Sequence, residues 1–140
     1  MPVKVEIKNA AQIKEKVRRV VRNAYESMRS LSDRHVTVGS KAGARYPNGK
    51  SVRDVAAFVE YGTSRMPPRP FMRACRFYNK DKWRNMLRRE LRLVLKHKQT
   101  AEQALQKVGA VMLADIRASI ESYGAVDTGR LRDSMEIQIT

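Results

Sequence analysis

The chain has little of what builds a reactive site or a covalent staple. Cysteine occurs once in 140 residues, as Cys75, so no internal disulfide can form. The two histidines, His35 and His97, lie far apart and have no cysteine or carboxylate at the spacing of zinc ligands. No apolar run approaches the length that crosses a membrane, and the start lacks the apolar core of a signal peptide. We therefore expect a soluble protein, made in a cytoplasm, with no membrane partner.

Catalytic motifs are also lacking. Arg73 and Arg76 near Cys75 are of the kind that lowers a thiol pKa, but a nucleophile also needs a base and an orienting group, and no motif supplies them. We therefore expect Cys75 to be a small buried residue on a helix. The glycines and lysines of residues 39–50 fit neither the P-loop nor the dinucleotide-binding fingerprint. We predict that the chain is not an enzyme and that it uses no cofactor and no metal.

Acidic residues are few: there are 14 against 29 basic ones, and the net charge is +15. Residues 62–98 hold 12 basic and 2 acidic side chains, whereas residues 99–140 hold 4 and 6. A basic central segment of this kind can bind nucleic acid or an acidic protein surface, including the acidic end of an identical neighbour. It can also simply face solvent. The candidates for contact with DNA or an acidic partner are Arg84, Arg88, Arg89 and Arg92.

Hydrophobic periodicity predicts an α+β fold, with a small antiparallel sheet packed against several amphipathic helices, one of them long and very basic. We expect one domain over residues 1–140 and a loop over residues 40–50 that serves as an interaction segment. Alternation predicts strands over 3–7, 35–39 and 135–139. Helical spacing predicts helices over 10–32, 52–60, 71–98, with a break near 79–81, and 100–123.

Two of these helices carry specific core predictions. The short helix over 52–60 should bury Val55, Ala56, Phe58 and Val59. The long basic helix should bury a stripe made of Trp83, Leu87, Leu91, Val94 and Leu95. Thr100 with Gln103 has the pattern of a capping box, and Gly124 suits the end of the helix that follows.

A glycine turn followed by a proline-rich segment is the most distinctive local feature. Gly62 can adopt a positive φ without steric cost, so Tyr61-Gly62-Thr63 is predicted to be a sharp turn. Pro67, Pro68 and Pro70 then fix their own φ angles and donate no backbone hydrogen bond. We expect residues 62–70 to form a stiff, exposed arm that docks on a neighbouring subunit. Phe71 would be its apolar anchor, and Arg69 or Arg73 would pair with acidic groups of that neighbour.

A second block, Asp127-Thr128-Gly129-Arg130-Leu131-Arg132-Asp133-Ser134, has the composition of a turn that re-enters the core. Together with Val36-Thr37-Val38-Gly39, Val55-Ala56, Glu60-Tyr61-Gly62-Thr63 and Pro67-Pro68-Arg69-Pro70-Phe71-Met72-Arg73, it resembles a family of tailed-phage virion proteins: neck, tail-completion or minor tail components. The resemblance covers roughly residues 35–76 and 104–140. It departs at Ala74-Cys75, where a Pro-Ala pair is usual, and in the short connection before the Thr-Gly turn.

The resemblance implies a structural virion protein that forms or joins a ring at the head–tail junction, around the DNA channel, and is assembled in the host cytoplasm. It implies a homo-oligomer, hexameric in this position, beside head-connector and tail-tube proteins and in non-specific contact with packaged DNA. A tail terminator that caps the tail tube is the alternative within this class. A non-specific nucleic-acid-binding protein, acting as a monomer or dimer, is the alternative from another class. The subunit-interface residues would be Glu60, Tyr61, Gly62, Thr63, Pro67, Pro68, Arg69, Pro70, Phe71, Arg73, Asp127, Thr128, Gly129 and Arg130.

Overall fold

The computed structural model describes residue 6, residues 8–125 and residues 129–140. Its elements, in chain order, are α1 (Ala10–Leu31), β1 (Val36–Ser40), α2 (Val52–Tyr61), α3 (Phe71–Leu95), α4 (Ala101–Ser122), α5 (Arg130–Asp133) and β2 (Met135–Ile139). Within these ranges β1 and β2 pair antiparallel, with Val36 opposite Ile139 and Ser40 opposite Met135. The predicted α+β fold is confirmed. Four of the five residues of the strand predicted over 3–7 lie outside the described residues.

The antiparallel pair of α3 and α4 forms the centre of the fold. Ser119 of α4 donates its hydroxyl to the carbonyl of Phe71 at one end, at 2.6 Å, and Lys107 lies 3.6 Å from Glu90 toward the other end. The predicted capping box starts α4: Thr100 Oγ1 accepts from the Gln103 amide at 3.2 Å, and Gln103 Oε1 accepts from the Thr100 amide at 3.0 Å. The Ser119 and Lys107 contacts therefore hold α3 and α4 together near both ends of the pair.

The break predicted near residues 79–81 is wrong, since α3 runs without interruption from Phe71 to Leu95. The Asn79 side chain donates to the carbonyl of Cys75 one turn earlier, at 2.9 Å. Trp83 Nε1 donates to Asp115 Oδ2 at 2.7 Å, and Lys82 Nζ lies 2.7 Å from the same oxygen. Contacts with α4 therefore override the weak helix propensity of this segment.

The sheet packs against α4 at Gly109, in the middle of that helix. A Cβ at this position would lie 2.8 Å from Ile137 Cγ2 and 2.9 Å from Val36 Cγ2. The absence of a side chain thus lets both strands approach the helix backbone. The main core lies beside this contact and contains Val52, Phe71, Cys75, Ile116, Ile120, Leu131 and Met135.

Two residues predicted to be buried are exposed: Phe58 by 51% and Leu95 by 40%. The rest of the α2 prediction holds in weaker form, because Val55, Ala56 and Val59 are only half-buried. The fully buried apolar side chain of this helix is Val52. Phe58 faces outward since α2 buries only one narrow side against its neighbours.

Helix α1 contacts the rest of the molecule mainly through its C-terminal half. Ser27 is buried there, and Leu31 packs against Val94, Ala101 and Ala104. His97, at the end of α3, has its Nε2 2.9 Å from the carbonyl of Asn23 and 3.1 Å from Ser27 Oγ. The apolar side chains of the preceding turns remain exposed.

We predict that Gly109→Val lowers the free energy of unfolding by about 2 kcal/mol, because the branched side chain overpacks the contact with Val36 and Ile137. Chemical denaturation followed by circular dichroism measures the loss. Ala110→Val is the matched control: Ala110 is exposed on the same helix, and the change should cost only about 0.6 kcal/mol of helix propensity. Equal losses in the two variants would contradict a close approach at Gly109.

Candidate subunit-contact site

Glu60, in the last turn of α2, closes the N-terminal end of α3. Its carboxylate is buried; Oε2 accepts from the Met72 amide at 2.9 Å, and Oε1 accepts from the Arg73 amide at 3.1 Å. These amides belong to the first turn of α3, where no intrahelical acceptor exists, and Pro70 supplies no side-chain cap. A carboxylate at this position also complements the positive end of the helix dipole. Glu60 is therefore the cap of α3, supplied from another helix.

The turn at Gly62 has the predicted positive φ. With φ 75° and ψ 173°, Gly62 occupies a region open essentially to glycine alone. A Cβ there would lie 2.7 Å from the nitrogen of Pro68 and 2.9 Å from the carbonyl oxygen of Met66. The glycine is thus required both by its backbone conformation and by the proline segment folded over it.

The proline segment bends back onto its own chain. The amide of Arg69 donates to the carbonyl of Val59 at 2.7 Å. Arg69 Nη1 donates to the carbonyl of Gly124, just after α4, also at 2.7 Å. Residues 62–70 are therefore mostly exposed and held in place, as predicted, but they form a brace between α2, α3 and the end of α4 and not a free arm. Docking of this segment on a neighbouring subunit stays a prediction.

Three side chains that were predicted to contact a neighbouring subunit make their contacts within their own chain. Phe71 is 1% exposed, because as the first residue of α3 it points into the core rather than continuing the arm. Glu60 is buried as the helix cap. Arg73 Nε lies 2.8 Å from Glu60 Oε1, and its guanidinium lies 4.8 Å from the centre of the Tyr61 ring. The expectation that Phe71 anchors a neighbour and that Arg73 pairs with a neighbour's acids is corrected accordingly.

Other members of the predicted set stay on the surface. Tyr61 is 69% exposed, and Thr63, Pro67, Pro68 and Arg69 are exposed around it. Their backbone is held by the turn and by the bonds of Arg69, so they form a surface of fixed shape. Asp127 and Thr128 lie outside the described residues.

Both sequence blocks of the resemblance meet in one apolar groove. Gly129, with φ 76°, precedes α5, and Leu131 of α5 is buried against the core. The groove has a volume of about 550 Å³. Its lining includes Val55, Phe58, Val59, Thr63, Met66, Arg69, Gly129, Arg130 and Leu131. Residues more than fifty positions apart thus form one surface, and no periodicity in the sequence indicates this.

A regular row of cations runs along α3. Arg76, Lys80, Arg84, Arg88, Arg92 and Lys96 follow one another at intervals of four residues. Successive members are one helical turn apart, a rise of about 6 Å. Arg84 lies 3.6 Å from Asp81, whereas Arg88, Arg89 and Arg92 have no ion-pair partner among the described residues. The four arginines predicted to meet DNA or an acidic partner are all exposed, and the row includes every one except Arg89.

Cys75 has an environment opposite to that of a reactive thiol. It is 3% exposed, and this burial, reinforced by the charge of Asp115, raises its pKa above the ordinary value. Asn79 and Lys82 act in the other direction but more weakly. The prediction that Cys75 is a small buried residue on a helix is confirmed. Among the described residues, no group of three His, Cys, Asp or Glu side chains is placed to hold a metal ion.

The fold defines an α+β protein whose described helices are all too short or too polar to cross a membrane. Comparison with protein-family models, with curated proteins and with solved structures finds no match to this chain.

We predict that Glu60→Gln lowers the free energy of unfolding by about 2 kcal/mol, because the amide loses the charge and one of the two acceptor oxygens that cap α3. Urea denaturation measures the effect. Arg73→Gln is the comparison: the Arg73 side chain is 57% exposed, so water replaces much of its interaction and its removal should cost only about 0.5 kcal/mol. If Arg73→Gln were as damaging as Glu60→Gln, the ion pair rather than the cap would hold this junction.

Proposed function

We propose that the protein is a structural component of a tailed-phage virion, that it forms or joins a ring at the head–tail junction around the DNA channel, and that it is not an enzyme. The observation that carries the proposal is the groove in which the two resembling blocks meet. Thr63 and Arg69 of the first block and Gly129 and Arg130 of the second lie on one surface. Motifs that serve one subunit contact should converge in this way.

The exposed side of the brace is the proposed contact with neighbouring subunits. Tyr61, Pro67 and Pro68 are exposed, yet their backbone is fixed by bonds within the chain. A preformed surface loses little conformational freedom on association, which favours assembly. The partners proposed for this surface are further copies of the chain, in a hexameric ring, with head-connector and tail-tube proteins above and below.

The test uses tailed particles produced from the genome that encodes this chain, separated into heads, unattached tails and complete virions. Mass spectrometry should find the protein in complete virions, and gold-labelled antibody should mark the neck in electron micrographs. Absence of the protein from complete virions would contradict the proposal. The alternative role within the class, a tail terminator, predicts instead that the protein is already present on unattached tails.

A second candidate function, non-specific binding of nucleic acid, is favoured by the cation row on α3. Arg88, Arg89 and Arg92 are exposed and unpaired within the described residues, and the chain carries a net charge of +15. Cations one turn apart can neutralise successive phosphates, and each neutralised phosphate releases counterions. The same row could face packaged DNA within a ring, so the two functions are compatible.

We predict that replacing Arg84, Arg88 and Arg92 together by glutamine weakens binding to duplex DNA and reduces the slope of log K against log salt by about 2.7, or 0.9 for each lost phosphate contact. Fluorescence anisotropy across a sodium chloride series measures the slope. The matched control replaces Arg18, Arg19 and Arg22 of α1, which removes the same charge from another helix. Equal effects of the two triple variants would show that net charge, and not the row, attracts DNA.

A further inference from the structure

Exposed aromatic side chains lie close together near the beginning of α3. Phe77 is 66% exposed and Tyr78 is 79% exposed, and their ring centres lie 5.2 Å apart with the ring planes at 84°. Tyr123, the residue after α4, is 37% exposed. Aromatic rings usually gain stability from burial, and a group of exposed rings therefore indicates a surface that binds a partner.

An open groove lies between Tyr78 and Tyr123, which both line it. Its volume is about 410 Å³, within the range of sites that hold small ligands. Most of the other side chains that line it are small and come from α3 and α4. Asn79 and Ser122 add polar atoms for hydrogen bonds with a bound group. The groove is thus shaped for a flat group between two aromatic rings.

Two cations flank the exposed rings. Arg76 and Lys80 of the cation row precede and follow Phe77 and Tyr78 in the chain, and Lys80 Nζ lies 5.6 Å from the centre of the Phe77 ring. Both cations are exposed, and neither has an ion-pair partner within the part of the chain that the structure describes. Aromatic rings and free cations therefore alternate on one surface of α3.

Acidic side chains in this part of the molecule are compensated by cations of the same chain. The ion pairs, with their N–O distances, are Asp115 with Lys82 at 2.7 Å, Asp81 with Arg84 at 3.6 Å and Glu121 with Arg132 at 2.9 Å. Asp115 is the carboxylate that lines the groove. A polyanion at this surface would thus meet two free cations and carboxylates that are already paired.

We infer that this aromatic surface, formed by Phe77, Tyr78 and Tyr123, binds single-stranded nucleic acid. Unpaired bases stack on the rings whatever their sequence, and Arg76 and Lys80 neutralise the phosphates beside them. The inference rests on the second candidate function, the binding of nucleic acid, and names the form of nucleic acid that this surface selects.

Other polyanions use only part of this surface. In duplex DNA the faces of the bases are already stacked on one another, so the exposed rings find no base to stack on. An acidic protein surface pairs with Arg76 and Lys80 but has no need of Phe77 and Tyr78. The juxtaposition of cations and rings therefore favours a single strand over both.

Fluorescence anisotropy with labelled nucleic acid tests the inference. The probes are an oligothymidylate of about 20 nucleotides, longer than most single-strand sites, and a duplex of equal length. Tyr78→Ala should weaken binding of the oligothymidylate at least about fivefold, because alanine offers no ring for a base. Binding of the duplex should be unchanged. Since Tyr78 is exposed and alanine favours the helix, the fold is retained.

Two further variants provide the controls. Tyr78→Phe keeps the ring and should bind the oligothymidylate like the wild type. Tyr25→Ala removes a ring that is 64% exposed on α1, and it should have no effect. Equal affinity of Tyr78→Ala and wild type for the oligothymidylate would overturn the inference. An equal loss for the duplex, or an equal loss in Tyr25→Ala, would overturn it as well.

Salt dependence separates stacking from charge. Tyr78→Ala should leave the slope of log K against log salt unchanged, because it removes no phosphate contact. Replacing Arg76 and Lys80 together by glutamine should reduce that slope for the oligothymidylate by about 1.4, or 0.7 for each contact. A change of slope in Tyr78→Ala as large as that of the double variant would overturn the assignment of the rings to stacking.

Ultraviolet cross-linking locates the bound strand. Trypsin cuts after Arg76 and Lys80, so both rings of α3 leave in the peptide of residues 77–80, while Tyr123 leaves in that of residues 118–130. An oligothymidylate that carries bromodeoxyuridine should cross-link to these peptides, which mass spectrometry identifies. Cross-links confined to other peptides would overturn the inference.

Polyglutamate is the probe for an acidic protein partner, since it carries charge but no rings. It should displace the labelled oligothymidylate less well than unlabelled oligothymidylate of equal charge does. Equal displacement would assign the surface to an acidic protein and overturn the inference.

These outcomes are separable from those of the proposed functions. Duplex binding that depends on Arg84, Arg88 and Arg92, with no effect of Tyr78→Ala on the single strand, would refute only this inference. Single-strand binding through Tyr78 by a protein that is absent from virions would refute only the virion role. A wild type that binds neither nucleic acid would refute both the second candidate function and this inference.

Discussion

The buried carboxylate of Glu60 determines how α2 and α3 are placed relative to each other. It belongs to α2, yet it accepts the amides of Met72 and Arg73 at the start of α3. A buried carboxylate without such donors would be costly, and the first turn of a helix without an acceptor would be too. The carboxylate and the two amides therefore satisfy each other's hydrogen-bonding requirements. With α2 fixed to α3 in this way, the proline segment between them can only bend back over Gly62.

This constraint changes how the proline segment functions. A free arm would offer flexible anchors, whereas the brace keeps Phe71 in the core and leaves Tyr61, Pro67 and Pro68 on a surface of fixed shape. The groove beside the brace exists because Arg69 reaches the carbonyl of Gly124 and brings the end of α4 close. The contact proposed with neighbouring subunits then uses a preformed surface, the exposed side of the brace.

Local patterns predicted local structure well. The capping box of Thr100 and Gln103, the alternation of β2 and the positive φ of Gly62 each depend on a few neighbouring residues, and all three are confirmed. The break in α3 was predicted wrongly, because the bond from Trp83 to Asp115 that holds the helix joins residues 32 positions apart. The burial of Phe71 was not predicted for a similar reason. It follows from the start of α3 at this residue, and that helix end is capped by Glu60 of α2.

The candidate site shows the same difference between features set by neighbouring residues and features set by long-range contacts. The sequence pointed to the correct blocks through their turn residues, but the groove between them depends on tertiary packing. The apolar face of α1 was visible as periodicity in the sequence. Periodicity does not indicate whether such a face is covered, and the fold leaves much of this one exposed. The cation row on α3 can be predicted from the sequence alone, because a basic residue stands at every fourth position from 76 to 96. The fold adds that Arg88 and Arg92 of this row are exposed and have no ion-pair partner within the part of the chain that the structure describes.

Residues 62–70 form an internal brace, fixed by the cap on α3, and not a free arm. Backbone hydrogen exchange of the monomeric protein, followed by NMR, distinguishes the two. In a brace, the amides of Met72 and Arg73, and that of Arg69 bonded to Val59, exchange as slowly as those of Leu105 and Val108 in α4. Exchange of these three amides at the rate of an unprotected loop would contradict the brace.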